Sequence, residues 1–287
     1  MRLVAYQSPN GPRVAGVKQG GYVDLNQSDP QVPSCIKKLL ALGPAGVTMA
    51  QAALDSGKLI DPQSVKLLAP VPRPQKVICV GLNYADHAKE SGAQPPPEPV
   101  LFNKFPSAIA AHGDSIVLPP CSEAVDYEAE LVAVIGQGGK NIAEEKALEH
   151  VAGYCPGHDV SARDWQLKKP GGQWLLGKSF DTFAPFGPEL VTADEVGDAG
   201  KLRIQFRLNG RTLQDSNTDQ LIFSIAAVVA YVSRICTLLP GDVIFTGTPA
   251  GVGFPRQPPI LLQPGDVAEV EIEKLGILRN PVVAQSV

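Results

Sequence analysis

Between Val125 and Gly136 the chain reads VDYEAELVAVIG, and this stretch restricts the fold more tightly than any other. Asp126, Glu128 and Glu130 alternate with Tyr127, Ala129 and Leu131. Strand side chains alternate between faces, so in a strand the three carboxylates share one side at intervals of ~7 Å. Val132 and Val134 continue that side. An acidic row that runs into an apolar row fits the mouth of a core better than a solvated face. Like charges there repel, and burying them unpaired is costly. A hard divalent cation removes both problems, and oxygen-only donors point to magnesium, manganese or calcium. The segment alone is equally compatible with an edge strand whose acids form surface salt bridges.

The remaining sequence surrounds this segment with strands. KVICVG (76–81), PVLFNKF (99–105), WLLGKSF (174–180), KLRIQFRLNG (201–210), DVIFTG (242–247) and DVAEVEIEKLG (266–276) all carry strand composition. Pro-Gly-Asp occurs at 240–242 and again at 264–266, each time as a turn before a strand. Helical patterns are fewer, at about 84–91, 143–150, 160–168 and 224–237, with Ser224 a cap for the last. Regular β-α-β alternation is absent. The expected class is α+β and mainly β: a roll or distorted barrel with peripheral helices. The prolines of LLAPVPRPQ (67–75) separate a small N-terminal α+β unit, residues 1–68, from a main domain, residues 69–287. The 287 residues suffice for that division.

Composition narrows the partners. The net charge is −4, with no basic stripe, which argues against nucleic acid. No apolar run reaches the ~18–20 residues of a membrane span. MRLVAYQ reads directly as a strand rather than a signal or transit peptide. Cysteines 35, 79, 121, 155 and 236 are odd in number and scattered, which suits a reducing compartment. The cytoplasm is expected, or the mitochondrial matrix if a presequence has been removed. Cys155, three residues before His158, raises a thiol nucleophile, but a buried structural cysteine explains it better.

Residues 172–179 match the nucleotide-binding pattern G-x-x-x-x-G-K-[ST] through Gly172, Gly177, Lys178 and Ser179. The intervening Gln173, Trp174, Leu175 and Leu176 look like a strand, and the following FDTFAPFGP cannot supply the phosphate-facing helix. The match is a coincidence of spacing. It leaves Lys178, which in a strand shares a face with Trp174, Leu176 and Phe180. A desolvated lysine can steady an enolate oxygen or a carboxylate, and a snorkelling surface lysine is an equal alternative. In GHDVSARDWQ (157–166), Asp159 offers a third oxygen ligand or a helix cap. Arg163 and Gln166 share a helical face suited to gripping a small carboxylate. His87 and Glu90, i and i+3 in VGLNYADHAKE, form a possible oriented base, with a surface pair as the plain alternative. Thr246 and Thr248 in FTGTPAGVG sit in a turn whose backbone could cradle an anionic oxygen.

Taken in order, VICVGLNYADHAKE, PVLFNKFPSAI, DYEAELVAVIG, VAGYCPGHDVSARDWQ, WLLGKSFDTFAPFGP, LNGRTLQDSNTDQLIFSIAAVVAYVS and LLPGDVIFTGTPAGVG resemble the fumarylacetoacetate hydrolase family over about residues 69–285. Within it they are most similar to the domain-containing type-2 subgroup. The resemblance implies a β-roll homodimer with one divalent cation per subunit, most simply magnesium. It implies Glu128, Glu130 and Asp159 as metal ligands, His87 and Glu90 as an acid–base dyad, and Lys178 as the active-site lysine. Arg163 and Gln166 match substrate-carboxylate contacts and Thr248 the anion-binding turn, while Asp126 stays outside the ligand set. The implied substrate is a small dicarboxylate or 1,3-diketo acid reacting through a metal-stabilised enolate. Oxaloacetate keto–enol tautomerisation and acylpyruvate C–C hydrolysis lead. Oxaloacetate decarboxylation, or isomerisation or decarboxylation of aromatic-degradation dienoic acids, follows. A catalytically idle metal-binding module is the reading from another class.

Overall fold

A computed structural model describes residues 1–286 except Ser91 and Ala93. Eleven of its strands form one sheet. The path runs Leu59–Ile60, Gly21–Asp24, Gly11–Lys18, Arg2–Ser8, Leu190–Thr192, Val151–His158, Ala129–Ile135, Val243–Phe245, Val77–Gly81, Val100–Lys104, and Lys66–Leu68 pairs with Arg2–Ser8. Val243–Phe245 and Val77–Gly81 are parallel, and their neighbours in the sheet are antiparallel. A second sheet of five strands orders Arg211–Asn217, Arg203–Leu208, Val267–Ile272, Gly276–Ala284 and Ile116–Leu118. The fold is therefore mixed-sheet, mainly-β α+β, with the helices outside. Both Pro-Gly-Asp turns precede strands as expected, with Gly241 at φ +83° and Gly265 at φ +94°, where only glycine is unstrained. The helix Ile225–Ile235 begins where Ser224 accepts from the Ala227 N–H at 3.1 Å.

The strand Ala129–Ile135 is buried on both faces. Leu131, Ala133 and Ile135 pack into a cluster with Phe206, Val229 and Val270 of the second sheet and its helix. Val132 and Val134 enter another with Leu54, Phe186 and Phe245. That second cluster also takes Leu3, Leu25 and Leu39, so the first 68 residues extend the main sheet through Arg2–Ser8 and share the core behind it. The acidic row thus runs into apolar interior on its own side.

Three local expectations need correction. The strand expected through 125–136 is interrupted at Tyr127 and Glu128: Val125–Asp126 pairs with Ser161–Ala162, and Ala129–Ile135 pairs with Val151–His158. The stretch 174–180 is a short helix, Trp174–Lys178, not a strand. Gly171 and Gly172 turn the chain at φ +80° and +65°, and Gly177 N–H closes a helical bond to Gln173 C=O. A short apolar run without a partner strand takes the helix, since periodicity alone does not separate the two. The helix expected over 160–168 spans only Arg163–Lys168, with Ala162 at the N-cap position and no side-chain cap, so Asp159 does not cap it. The expected helix 84–91 is Ala85–Glu90, its last position lying outside the described residues. Among the described residues, no helix is long and apolar enough to cross a membrane.

Gly157 faces Glu130 across the strand pair. A Cβ there would lie 2.3 Å from Val132 Cγ2 and 2.8 Å from Phe245 Cε1. Gly157→Ala therefore overpacks the seam and is expected to cost about 1–3 kcal/mol, read as a lower urea midpoint at unchanged slope.

Candidate active site

Glu130 lies on the strand Ala129–Ile135, Glu128 in the break just before it, and Asp159 just after Val151–His158. Register brings Ala129 opposite His158, so the antiparallel pair delivers all three acids to one end. Asp159 N–H donates to Glu128 C=O at 2.9 Å, which fixes the crossing. One oxygen from each carboxylate lies within 4.8 Å of the others, and all three residues are buried. Each alone would be driven neutral by burial. For Glu128, burial raises the carboxyl, but Lys178 and Arg163 more than offset it and hold it down to about 2. Glu130 goes well above the usual range, through burial and the charges of Asp159 and Glu128, and accepts from Gly247 N–H at 2.8 Å.

Three buried cations answer the acids. Lys178 Nζ donates to Glu128 Oε2 at 3.0 Å, Asp159 Oδ2 at 2.8 Å and Ser161 Oγ at 2.7 Å, using every N–H it has. Burial would lower its pKa, but Asp159 and Glu128 raise it, so it stays an ammonium. Arg163 bonds Asp126 through Nε at 2.9 Å, meets Glu128 Oε1 through Nη2 at 2.7 Å, and donates from Nη1 to Gln166 Oε1 at 2.9 Å. Lys104 has no exposed surface; it donates to the carbonyls of Val160, Lys178 and Phe183. Its Nζ is 2.6 Å from Asp159 Oδ1, yet those N–H bonds point elsewhere, and among the described residues Oδ1 accepts no hydrogen bond. With all four ionised, Asp126, Glu128, Glu130 and Asp159 outnumber the cations by one, and Glu130 is the carboxyl whose ionisation lacks a partner. A buried carboxylate oxygen with unused lone pairs, oxygen-only donors and residual negative charge together fit a hard divalent cation.

His87 borders the same cavity, its Nδ1 3.5 Å from Glu90 Oε2. Glu90 also accepts from Gly251 N–H at 3.0 Å, which ties the helix Ala85–Glu90 to the glycine turn. Thr248 lines the cavity and its Oγ accepts from Gln214 at 2.9 Å. Thr246 instead donates to Leu131 C=O at 2.8 Å and is part of the sheet. The cavity is about 250 Å³. Glu128, Glu130, Arg163, Gln166, Lys178 and His87 reach it. Cys155 is fully buried with its thiol pushed up by burial, which is the structural role the sequence favoured.

Sequence reasoning missed Lys104, whose only signal is a lysine inside the apolar run LFNKF, and Gln214, which carries none. It also left Asp126 idle. Asp126 is fully buried and holds Arg163 while accepting from Gly253 N–H at 2.8 Å and Phe254 N–H at 3.1 Å. It therefore fixes the guanidinium and the loop roofing the cavity at once. Asp126→Ala strips a buried arginine of a partner and removes the acceptor of three amides, those of Tyr127, Gly253 and Phe254. Its expected cost is about 3–5 kcal/mol, measured by urea denaturation.

The profile described as fumarylacetoacetate (FAA) hydrolase C-terminal matches residues 76–283. The chain is 49% identical to "Oxaloacetate tautomerase fahd2, mitochondrial" of Xenopus laevis, covering 99% of this chain and 90% of that one. It is 48% identical to "Oxaloacetate tautomerase FAHD2A, mitochondrial" of Homo sapiens, covering 99% and 92%. Among solved structures, fumarylacetoacetate hydrolase from Exiguobacterium antarcticum superposes with a TM-score of 0.86 at 38% identity, covering 99% and 100%. Maleylpyruvate hydrolase from Sphingobium sp. SYK-6 gives 0.83 at 32% identity, also covering 99% and 100%. A profile match over most of the chain, with relatives this similar along its whole length, makes the chain a member of the fumarylacetoacetate hydrolase family.

Proposed function

We propose that this protein is a magnesium-dependent enzyme of small 2-oxo acids, and that its principal reaction is keto–enol tautomerisation of oxaloacetate. The observation that carries the reading is the buried oxygen triad of Glu128, Glu130 and Asp159 beside an ammonium, at the base of a small cavity. The names of the animal relatives support oxaloacetate as substrate. Magnesium suits three protein carboxylates, because it binds through few of them and keeps its remaining positions for water or substrate oxygens.

When bound, a divalent cation supplies Lewis-acid polarisation of the 2-oxo carbonyl and so lowers the energy of the enolate. Glu128, Glu130 and Asp159 would hold it. Lys178, kept protonated and pinned by three acceptors, sets a fixed positive charge beside the reacting oxygen. Arg163 is held in place by Asp126, and with Gln166 it meets the substrate carboxylate. His87, oriented by Glu90, takes the proton from C3 of the keto acid. The proton held on the His87 imidazolium is then passed, directly or through water, to the 2-oxygen to give the enol, which frees the imidazole and leaves the total proton count unchanged. Thr248 bounds the anionic end of the substrate. C–C hydrolysis of an acylpyruvate uses the same enolate but requires a placed water, and the maleylpyruvate hydrolase neighbour supports it as the second reading.

Residues 1–68 act in this reading as a supporting unit joined to the main sheet: among the described residues, none before Val80 lines the cavity. A homodimer is supported by the exposed apolar side chains Phe105, Leu167 and Leu176, of which Leu167 lines the cavity. For the compartment, the relatives' names favour the mitochondrial matrix over the cytoplasm.

Glu128→Ala is expected to abolish magnesium binding by calorimetry and to slow loss of enol absorbance by at least about 100-fold, the scale on which a principal electrostatic element acts. Parallel assays of oxaloacetate, acetylpyruvate and fumarylpyruvate, with carbon dioxide release followed separately, distinguish tautomerisation from hydrolysis and decarboxylation. Full turnover in excess chelator would refute the reading. His87→Ala, folded and metal-binding but inactive, separates an enzyme from an idle metal module.

A further inference from the structure

Trp174 borders the cavity from the same short helix as Lys178, four residues apart, so both side chains leave one helical face. Its indole lies directly on the backbone of Gly81, where a Cβ would come within 2.4 Å of the ring. Gly81 ends the strand Val77–Gly81, and its neighbour strand contributes Phe102, whose ring meets Trp174 edge to face at 5.4 Å. Phe102 in turn lies 5.0 Å beneath Lys178 Nζ. The two rings therefore form a continuous apolar wall leading away from the lysine and the acids. Such a wall has no acceptor and no charge for a carboxylate or carbonyl to pair with beyond one indole N–H, so it faces the carbon side of a substrate whose oxygens are held at the triad. The space that remains is small: 250 Å³ lies below the roughly 300–1,000 Å³ of most ligand pockets.

We propose that Trp174 is a specificity-determining residue, an end-stop that limits the length of the group attached beyond the 2-oxo carbon. With the indole seated on Gly81, the cavity admits a short acid of the oxaloacetate type and rejects acylpyruvates with extended acyl chains. The inference rests on the small-2-oxo-acid reading above and narrows it, by giving a steric reason for the four-carbon acid over longer hydrolase substrates. Arg163 and Lys178 are both paired with Glu128, so discrimination by length falls to the ring.

The test uses binding, separate from turnover. N-alkyl oxamates are unreactive mimics of 2-oxo acids, and oxamate with its methyl, propyl and hexyl derivatives would be titrated by calorimetry into magnesium-loaded protein. In the wild type, affinity is expected to fall at least about tenfold from methyl to hexyl, the scale on which an apolar pocket discriminates added methylenes. In Trp174→Ala the fall should shrink below about twofold, with unsubstituted oxamate bound as before; in Trp174→Phe, which retains a wall, it should be intermediate. The matching readout is kcat/KM for acylpyruvates of rising length, which should gain relative to oxaloacetate only in the alanine variant. The same length dependence in all three proteins would overturn the end-stop and leave the reaction class standing. No oxamate binding to the wild type would overturn both.

Discussion

Asp126, Glu128, Glu130 and Asp159 are buried, and among the described residues the buried lysines and arginines are Lys104, Arg163 and Lys178. Isolated charges of this kind are not tolerated in a protein interior, and pairing repays the desolvation only when the geometry is tight and the remaining hydrogen-bonding capacity is filled. That condition explains why the neighbourhood is so fully specified. Lys178 has no spare donor, Arg163 is forked across two acids and an amide, and Lys104 is held by three carbonyls. The two acids on one segment are pushed in opposite directions, Glu128 down by its cations and Glu130 up by burial and its acidic neighbours. The imbalance is a standing demand for positive charge, and a dication inverts it, leaving a site attractive to an anionic acid.

The fold meets this demand by making the acids the last residues of a central strand pair. Because Ala129–Ile135 and Val151–His158 lie inside the sheet with apolar clusters on both sides, the ends of those strands cannot move without disturbing two cores. The turn after Val243–Phe245 then supplies Gly247 N–H to Glu130, and the loop that follows is tied to Asp126. Glycine is required at Gly253, where a Cβ would lie 1.8 Å from Ile260 C=O. Backbone thus approaches carboxylate at points where side chains would keep it away.

Much of this was legible in the sequence because it rests on local pattern. Alternation in VDYEAELVAVIG placed an acidic row at a core mouth, and the i, i+3 spacing of Arg163 and Gln166 became a real contact at 2.9 Å. What was not legible depends on pairing over distance. Val151–His158 went unread as a strand because Pro156 and two glycines break its strand signal, although Pro156 pairs with Leu131 in the middle of the sheet. Asp126 looked like one more member of the acidic row. The chain breaks at Tyr127, because Val125–Asp126 takes Ser161–Ala162 as its partner while Ala129 onward takes another strand. No single-segment pattern reports that exchange.

The segment GGQWLLGKS shows how one local choice sets the chemistry. As a strand it would put Trp174, Leu176, Lys178 and Phe180 on one side. As a helix it separates Leu176, which is exposed, from Trp174 and Lys178, which turn inward together. Gly177 makes that helix possible, since a Cβ there would lie 2.6 Å from Gln166 N, and only glycine lets the two short helices touch. The contact brings Lys178 under the acids and Gln166 beside Arg163 in a single packing event. The glycine–lysine pair that imitates a phosphate-binding loop is therefore needed for a different reason: the glycine is a spacer of zero width between two helices, and the lysine after it is the charge those helices deliver.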